Sequence, residues 1–401
     1  MKTPSSLQKF LVKSLPAIKD SPIAVFCNQS AYDFSTGKYL IEILEESSNL
    51  KRVFVPEHGF FSEFQDQQKK DILSEYEAIF PKTKFVSLYG SSAESLIPKV
   101  EQLQDIEILI IDIQDVSCRY FTYVSSIYYL FQAITEMQLS CKVFVIDKVN
   151  PGGRKVEGTI LGEKYASFLG VAGLPHRYGL SIGELCHFFH RNLKSRFTLE
   201  IIPLDATELT ADFQIQASPN FPSSSTSKLY SGTCLIEGTI LSEGRGTTKP
   251  FELIGAPFLD WEMINNCIRD MDNLLPSQKG KYHLRRCRFI PQFHKFAGEI
   301  CNGFQIHTSS EKLHALSLGI AMIHCIQKNS KIDIIRKGSY EYGSDKTALE
   351  ILIGDDYLLE AINNGFKQDA LFDYLKTAEE SWIKQTKEDV LYTKEAYSCL
   401  S

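Results

Sequence analysis

Four short apolar segments in the first 150 residues constrain the fold more than any other feature of this chain. Near-continuous hydrophobic runs of this length are typical of strands that are buried on both faces of a sheet. Helical patterns lie between them, such as the stretch that begins at Tyr123. This alternation predicts an α/β fold with a mostly parallel sheet covered by helices on both sides. The four predicted strands span residues 23–29, 52–59, 106–115 and 142–150.

Each of these strands ends in polar side chains. In open α/β sheets, ligands bind outside the carboxyl ends of the strands, so four polar endings predict one binding site along that edge. A single polar strand end is usually only a helix cap or a turn, and turn chemistry explains much of DKVNPGGR (147–154). The polar endings are Asn28, Gln29, Glu57, His58, Gln114, Asp115, Asp147 and Asn150.

The segment from Ser218 to Pro257 is rich in glycine, proline, serine and threonine, with hardly a core-like run. It predicts a long loop near a domain junction, and long loops in compact domains usually build binding or active sites. Within it, Glu237 and Glu243 accompany Arg245, which two glycines flank, so the loop suits a polar substrate such as a sugar. The alternative is a solvated surface loop.

After about residue 260 the pattern changes to that of a smaller domain in which helices and a few strands mix. We therefore predict a catalytic domain over 1–259, which includes the loop at 218–257, and an α+β domain over 260–401. Clefts between domains are preferred ligand sites.

One short sequence segment occurs twice in the chain in similar form. VEGTILGE (156–163) and IEGTILSE (236–243) agree at six positions, but eight residues are too few for a structural repeat. We predict two similar Glu-Gly turns, at Glu157 and Glu237, that line the same cleft.

Composition excludes several classes of protein. A formal net charge of −6 without a dense basic run argues against a nucleic-acid surface. No apolar run is long enough for a membrane helix, and the first twenty residues lack the apolar stretch of a secretory signal. The ten cysteines lie mostly in apolar runs, as buried free thiols do. We expect a cytoplasmic protein, unless a leader segment has been removed.

Glu57 is the strongest candidate for a catalytic acid. It follows the apolar run RVFV and Pro56, and a carboxyl group at the mouth of a hydrophobic sheet is partly desolvated, which suits it to donate a proton. Glycoside hydrolysis needs such a group to protonate the leaving oxygen, together with a second group that stabilises or attacks the anomeric carbon. The alternative for Glu57 is a helix N-cap or a surface turn.

Other motifs fit their contexts poorly. A G-x-S-x-G pattern surrounds Ser181, but a serine-esterase elbow requires an apolar strand before the serine, and here PHRY precedes it. Ser181 and Glu184 instead predict a capping box. Cys186, His187 and His190 are weak evidence for zinc without a second cluster, and the sequence has no P-loop or dinucleotide fingerprint. We predict no metal and no organic cofactor.

Nine motifs occur in order along the chain: PEHGF (56–60), DIQDVSCRYFTYVS (112–125), DKVNPGG (147–153), VEG (156–158), SPN (218–220), YSGTCLIEGT (230–239), SEGRGTTKPFE (242–252), GAP (255–257) and YEYGSDKTALEILIGD (340–355). Together they resemble the YbbC-like family, which includes the exo-β-N-acetylmuramidases called NamZ. The resemblance implies a Rossmann-like N-terminal domain beside a smaller C-terminal one, an active site in the cleft between them, and Glu57 as the catalytic acid. It also implies removal of terminal N-acetylmuramic acid from peptidoglycan fragments.

Two features depart from the family pattern. Family members are usually exported, whereas this chain shows no signal peptide, which leaves the compartment open. The stretch FSEFQDQQKKD (61–71) replaces a glycine-rich acidic pattern, so Glu63 and Asp66 are uncertain equivalents and the substrate preference is open.

We therefore predict a hydrolase that cleaves β-linked N-acetylmuramic acid from a non-reducing end during cell-wall turnover, acting on a small glycan and on neither nucleic acid nor membrane. The predicted catalytic residues are Glu57, His58 and Asp115; the second catalytic group is either Asp115 or the substrate's own 2-acetamido group. Arg119 or Arg245 would hold the lactyl carboxylate. The predicted substrate-binding residues are Asn28, Gln114, Arg119, Tyr120, Tyr123, Asp147, Asn150, Asn220, Glu237, Glu243, Arg245 and Thr247. The alternatives are a sugar-binding protein without catalysis and an esterase that uses Ser181.

Overall fold

A computed structural model describes residues 5–393, apart from 66–71, 91, 206–207, 209–214, 309, 339, 341 and 343–344. Asp66 therefore lies outside the described residues. No helix in the described part of the chain is both long and apolar enough to cross a membrane.

Six parallel strands form the main sheet, and three antiparallel strands form a second, smaller sheet. The strands are β1 (Ile23–Cys27), β2 (Tyr32–Asp33), β3 (Lys38–Tyr39), β4 (Leu50–Val55), β5 (Lys84–Ser87), β6 (Ile108–Asp112), β7 (Lys142–Ile146), β8 (Thr198–Ile202), β9 (Leu253–Ala256), β10 (His283–Phe289) and β11 (Cys301–His307). The order of the main sheet is β5-β4-β1-β6-β7-β8. This is the doubly wound order of Rossmann-like folds, and its topological switch point lies between β1 and β6.

The four predicted strands are confirmed as β1, β4, β6 and β7, each shorter than its apolar run because the polar end leaves the sheet. Sequence analysis missed the two edge strands, β5 and β8, which carry more polar residues. Alternate residues of β1 belong to two separate cores: Ala24 and Phe26 pack on one face of the sheet, and Val25 packs on the other. Both faces are therefore covered, as predicted.

Helices supply the two covering layers and most of the C-terminal part. They are α1 (Ser6–Lys9), which continues through a π-helical stretch (Phe10–Ser14) into α2 (Leu15–Ile18), then α3 (Leu40–Ser47), α4 (Leu73–Ile79), α5 (Val100–Leu103), α6 (Thr122–Glu136), α7 (Ile182–Asn192), α8 (Ser224–Thr233), α9 (Trp261–Leu274), α10 (Ala315–Asn329), α11 (Ala348–Ile353), α12 (Asp356–Asn364) and α13 (Gln368–Gln385). Short 3-10 turns occur at Ala93–Leu96, Glu163–Tyr165, Cys234–Gly238 and Pro276–Gln278. The C-terminal helices and the sheet β10-β11-β9 confirm the smaller α+β part.

The prediction of a long loop over 218–257 is wrong. The segment contains α8, a 3-10 turn and β9, and most of it is buried. Its small residues serve close packing: a Cβ added at Gly232 of α8 would lie 1.9 Å from the carbonyl oxygen of Ala315 in α10. Glycine is needed there because two backbones approach each other directly.

The predicted domain boundary after residue 259 stays a prediction. β9 pairs with β11 of the second sheet, and α8 packs against α10. These contacts favour, as a proposal, an earlier boundary that precedes α8.

Candidate active site

A cavity with an empty volume of about 410 Å³ lies beyond the carboxyl end of β4. Both halves of the molecule line it, since Tyr340 and Leu352 come from the C-terminal part. Among the predicted site residues, the cavity brings together Glu57, His58, Tyr120, Glu237 and Arg245. Its other lining residues are Phe121, Thr122, Leu169, Ser218, Phe221, Tyr230, Cys234, Tyr340 and Leu352.

Glu57 reaches this cavity from a tight turn that follows β4. The next two residues, His58 (φ 70°) and Gly59 (φ 84°), both have left-handed backbone conformations, which a non-glycine residue rarely adopts without a compensating contact. No helix begins at Glu57, so the N-cap alternative is wrong. Only 8% of Glu57 is exposed, and the hydroxyl of Thr122 donates to its Oε2 at 2.7 Å. The carboxyl group is therefore held in one orientation at the cavity wall.

His58 and Tyr123 pack beside Glu57. Nδ1 of His58 lies 2.9 Å from the carbonyl oxygen of Phe64, and its ring packs against Phe121 at a centroid distance of 5.7 Å. Tyr123 donates to the carbonyl oxygen of Ala217 at 2.8 Å and does not line the cavity. Burial raises the pKa of Tyr123. Tyr123 thus supports the wall behind Glu57 as a neutral phenol.

A second carboxyl group in the cavity, Glu237, belongs to a hydrogen-bonded cluster. Nη2 of Arg245 donates to its Oε1 at 2.7 Å, and the Tyr340 hydroxyl donates to its Oε2 at 2.9 Å. The Arg245 guanidinium also lies over the ring of Phe251, 4.9 Å from its centroid. Tyr340 therefore connects the C-terminal part directly to the cavity wall.

Glu243 lies behind this cluster and does not line the cavity. Its carboxylate is 3.3 Å from Nε of Arg245, 3.0 Å from Nδ1 of His294 and 2.9 Å from Nζ of Lys295. Burial acts to raise the pKa of Glu243, but Lys295, His294 and Arg245 outweigh it and lower that pKa. Arg245 thus lies between two carboxylates that already balance its charge, and the contacts do not favour its predicted role with a lactyl carboxylate.

Asp115 does not line the cavity, in contrast to its predicted place beside Glu57. It accepts hydrogen bonds from the backbone N–H of Ser117 at 2.7 Å and from the hydroxyl of Tyr178. Among the described residues, no group hydrogen-bonds to its Oδ1. Burial raises the pKa of Asp115 to about 7, since no cation offsets the loss of hydration.

The predicted position of Arg119 at the substrate is wrong. Its side chain is buried, and Nη2 lies 3.0 Å from Nε2 of His176. Its other contacts are with main-chain carbonyls: Nη1 with Thr159 (3.0 Å) and Leu174 (3.2 Å), and Nη2 with Leu352 (3.3 Å) and Ile353 (2.9 Å). Burial lowers the pKa of Arg119 to about 10. Arg119 therefore joins the N-terminal half to the end of α11 and does not face the cavity.

The remaining predicted binding residues satisfy turns and helix ends. None of them lines the cavity: Asn28, Gln114, Asp147, Asn150, Asn220 and Thr247. Asp147 is typical, because it accepts from the hydroxyl of Ser181 at 2.8 Å and from the N–H of Gly183 at 2.7 Å; burial raises the pKa of Asp147 to about 6. Ser181 forms the predicted capping box with Glu184 and does not line the cavity, so these contacts do not favour the esterase alternative.

Sequence analysis missed several residues of the cavity. Thr122 and Phe121 lie inside a motif that was recognised, yet neither carries an obvious chemical group. Tyr340 lies about a hundred residues from Glu237, its hydrogen-bond partner. The position of Tyr340 within the C-terminal motif was the one signal that could have pointed to it.

A doubly wound parallel sheet and an acidic, aromatic-lined pocket closed by a smaller domain define a Rossmann-like protein of two parts. Two family models match the chain: "Exo-beta-N-acetylmuramidase NamZ, N-terminal" over residues 23–226 and "Exo-beta-N-acetylmuramidase NamZ, C-terminal" over residues 228–392. The chain therefore belongs to the NamZ exo-β-N-acetylmuramidase family, which confirms the predicted resemblance.

Known proteins agree with this assignment. The chain is 31% identical over 387 residues to the peptidoglycan β-N-acetylmuramidase NamZ of Bacillus subtilis (strain 168). This match covers 94% of this chain and 88% of the relative. Two DUF1343 family proteins from Bacteroides fragilis NCTC 9343 have the same fold. One has a TM-score of 0.79 at 21% identity, over 97% of this chain and 99% of the other. The second has a TM-score of 0.74 at 25% identity, over 97% and 98%.

Proposed function

We propose that this protein is an exo-acting glycoside hydrolase that removes terminal β-linked N-acetylmuramic acid from peptidoglycan fragments. Membership of the NamZ family and the long match to the Bacillus subtilis enzyme support this function. The observation that carries the catalytic proposal is the buried Glu57 carboxyl group, which Thr122 holds at the wall of the cavity.

Glu57 is the proposed general acid. Thr122 donates to Oε2, so Oε1 is the oxygen that would carry the proton to the glycosidic oxygen. Proton transfer from a positioned side chain is worth roughly 100- to 10,000-fold in rate. His58, fixed by Phe64 and Phe121, would orient the sugar beside this carboxyl group.

The proposed second group is the 2-acetamido group of the substrate. Asp115, the alternative, lies outside the cavity, where Tyr178 and Ser117 hold it. Glu237 does line the cavity, but Arg245 and Tyr340 occupy its two oxygens. If the acetamido oxygen attacks the anomeric carbon, the product should retain the anomeric configuration. NMR of the first-formed product would measure this configuration. Inversion would exclude the acetamido group as the nucleophile.

The cavity also suits a single terminal sugar. Aromatic side chains line much of it and offer flat apolar surfaces to a sugar ring: Tyr120, Phe121, Phe221, Tyr230 and Tyr340. A small pocket closed by a second domain favours exo action.

The test compares wild type with Glu57→Gln on a chromogenic β-N-acetylmuraminide and, as a specificity control, on the β-N-acetylglucosaminide. We expect release from the muraminide alone, reduced about 100-fold or more by Glu57→Gln. Glu63→Gln is the matched control, because Glu63 accepts from Tyr76 and does not line the cavity. Unchanged release in Glu57→Gln would contradict the assignment, and no release by wild type would contradict the function.

We also propose that the protein works in a reducing compartment such as the cytoplasm. Eight of the nine cysteines in the described ranges are buried, and Cys287 is half-buried. Such thiols are typical of proteins that fold without disulfides. Cell fractionation with an antibody against the native protein would test this, and recovery from the culture medium would contradict it.

A further inference from the structure

A second concave surface lies on the C-terminal part, between α9 and β10. This open groove has an empty volume of about 1080 Å³ and shares no lining residue with the active-site cavity. Four cations line it: Arg269, Lys279, Arg285 and Arg286. Asp272 is its only carboxylate among the described residues, so the groove is positive although the whole chain carries a net charge of −6.

The arginines of this basic groove pair with side-chain amides, as Arg288 outside the groove does with Asn302 at 2.9 Å, and not with carboxylates as five others do. Five other arginines each lie within 3.5 Å of a carboxylate oxygen: Arg52, Arg154, Arg177, Arg191 and Arg245. In the described part of the chain, the three groove arginines form no ion pair and instead donate to side-chain amides. Arg269 donates to Asn266 (2.7 Å), Arg285 to Gln305 (2.7 Å) and Arg286 to Asn265 (2.9 Å).

An amide partner orients a guanidinium group without neutralising it. Each groove arginine is exposed and keeps its full charge together with further N–H donors, which match the geometry of a carboxylate. Asn265 and Asn273 also line the groove and offer donors and acceptors of the kind that sugar hydroxyls need. Guanidinium and amide groups side by side suit a glycan that carries carboxylates.

The position of β10 at the edge of the second sheet offers a simpler explanation for its charges. Charged side chains on edge strands protect a sheet from pairing with another chain. That explanation does not extend to Arg269 on α9 or to Lys279 before β10, which face the same groove. A shared groove with two positive walls is better explained by a ligand.

We propose that the basic groove is a secondary binding surface for carboxylate-bearing glycan fragments of peptidoglycan, separate from the active site. This proposal rests on the proposed function for the identity of the glycan. A long fragment held at the groove would raise the local concentration of chain ends at the cavity, as linked binding sites do. Small fragments that cannot reach the groove would be hydrolysed at the same rate with or without it.

The test uses the full chain in two assays. The first measures co-sedimentation of Glu57→Gln protein with insoluble peptidoglycan, so that the polymer stays intact. Into this background we introduce the groove variant (Arg269→Gln, Arg285→Gln and Arg286→Gln) or a control variant (Lys38→Gln, Lys164→Gln and Lys376→Gln). The control removes the same charge from exposed lysines that are paired with carboxylates elsewhere.

We expect the groove variant to bind peptidoglycan at least tenfold more weakly, and the control variant to bind as the parent does. Binding by the parent should also weaken as salt rises from about 0.05 to 0.5 M, since exposed charges are screened. The second assay introduces the same substitutions into the active protein and measures hydrolysis of the chromogenic muraminide, which should be unchanged.

Four results would overturn the proposal. These are unchanged peptidoglycan binding by the groove variant, an equal loss in the control variant, loss of chromogenic hydrolysis in the groove variant, or tighter binding of polyuridylic acid than of peptidoglycan. The last would indicate a nucleic-acid surface instead. Failure of the proposed function is distinguishable, because wild type would then leave the chromogenic muraminide intact whatever the sedimentation assay shows.

Discussion

The two Glu-Gly turns, at Glu157 and Glu237, have nearly identical sequences, but their carboxylates lie in different environments. Glu157 is fully buried and does not line the cavity, so the prediction that both turns line one cleft is wrong. Lys155 lies 3.0 Å and Arg177 3.5 Å from its Oε1. Its oxygens also accept from the first two backbone N–H groups of α10, at 3.2 and 3.0 Å.

Glu237 instead lies at the surface of a cavity, where Arg245 and Tyr340 contact it. The surroundings of Glu157 differ from this, because they contain several basic side chains. Burial acts to raise the pKa of Glu157, but Lys155, His314 and Arg177 outweigh burial and lower that pKa. The same short sequence therefore serves as a structural joint in one place and as part of a site in the other. What surrounds the carboxylate decides between these roles, and the eight residues themselves do not.

The largest difference between the two turns should appear in stability. Glu157→Ala leaves Arg177 and Lys155 without a carboxylate and removes the acceptor at the start of α10, which should cost about 3–5 kcal/mol in the free energy of unfolding. Glu237→Ala should cost less, about 1–3 kcal/mol, because Glu243 still pairs with Arg245. Urea unfolding monitored by circular dichroism would measure both, and equal losses would break the comparison.

Asp115 is a buried carboxyl group whose pKa is raised, whereas that of Glu157 is lowered. Its contribution to the free energy of unfolding should therefore change with pH in the opposite direction from that of Glu157. The folded-state pKa of Asp115, about 7, lies above its ordinary value of 3.8, so the folded protein binds the extra proton. Stability from this group is full below about pH 4, falls as pH rises from about 4 to about 7, and has then decreased by about 4 kcal/mol.

In Asp115→Asn this fall should disappear. The check is the difference in unfolding free energy between variant and wild type at several pH values from 4 to 8. A difference that does not change with pH would contradict the raised pKa.

A substitution in the Glu237 turn should reduce activity more than the same substitution in the Glu157 turn. Glu237→Gln keeps the size of the side chain but removes the charge that faces Arg245, so kcat/KM on the chromogenic muraminide should fall about tenfold. Glu157→Gln should leave kcat/KM per folded molecule within about twofold, measured where both proteins are fully folded. A larger loss in Glu157→Gln would show that the joint also shapes the cavity.

The smallest expected effect concerns the contact that the C-terminal part makes with Glu237. Tyr340→Phe removes one hydrogen bond and should lower kcat/KM about three- to fivefold. Tyr282→Phe is the matched control, because the Tyr282 hydroxyl also donates to a carboxylate, that of Asp272, and neither residue lines the cavity. An equal decrease in both variants would show that Tyr340 acts only through overall stability.

Much of the fold could be predicted because a strand buried on both faces has a distinct apolar run, as β1, β4, β6 and β7 do. The small residues of 218–257 were misinterpreted, since close packing of α8 on α10 and a flexible loop favour the same amino acids. The strand-end rule identified Glu57, which lines the cavity, but it cannot distinguish such a residue from Asp147, which accepts from the start of a helix. Tyr340 could not be placed, because its contact depends on packing between the two halves.

The contacts of Arg119 have a consequence for reading the evolutionary record of such proteins. Its guanidinium group binds the main-chain carbonyls of Leu352 and Ile353, and every amino acid offers the same carbonyl. Substitutions at these two positions can therefore accumulate without disturbing the contact and without a matching change at residue 119. Methods that infer contacts from correlated substitutions will be blind to this joint between the two halves.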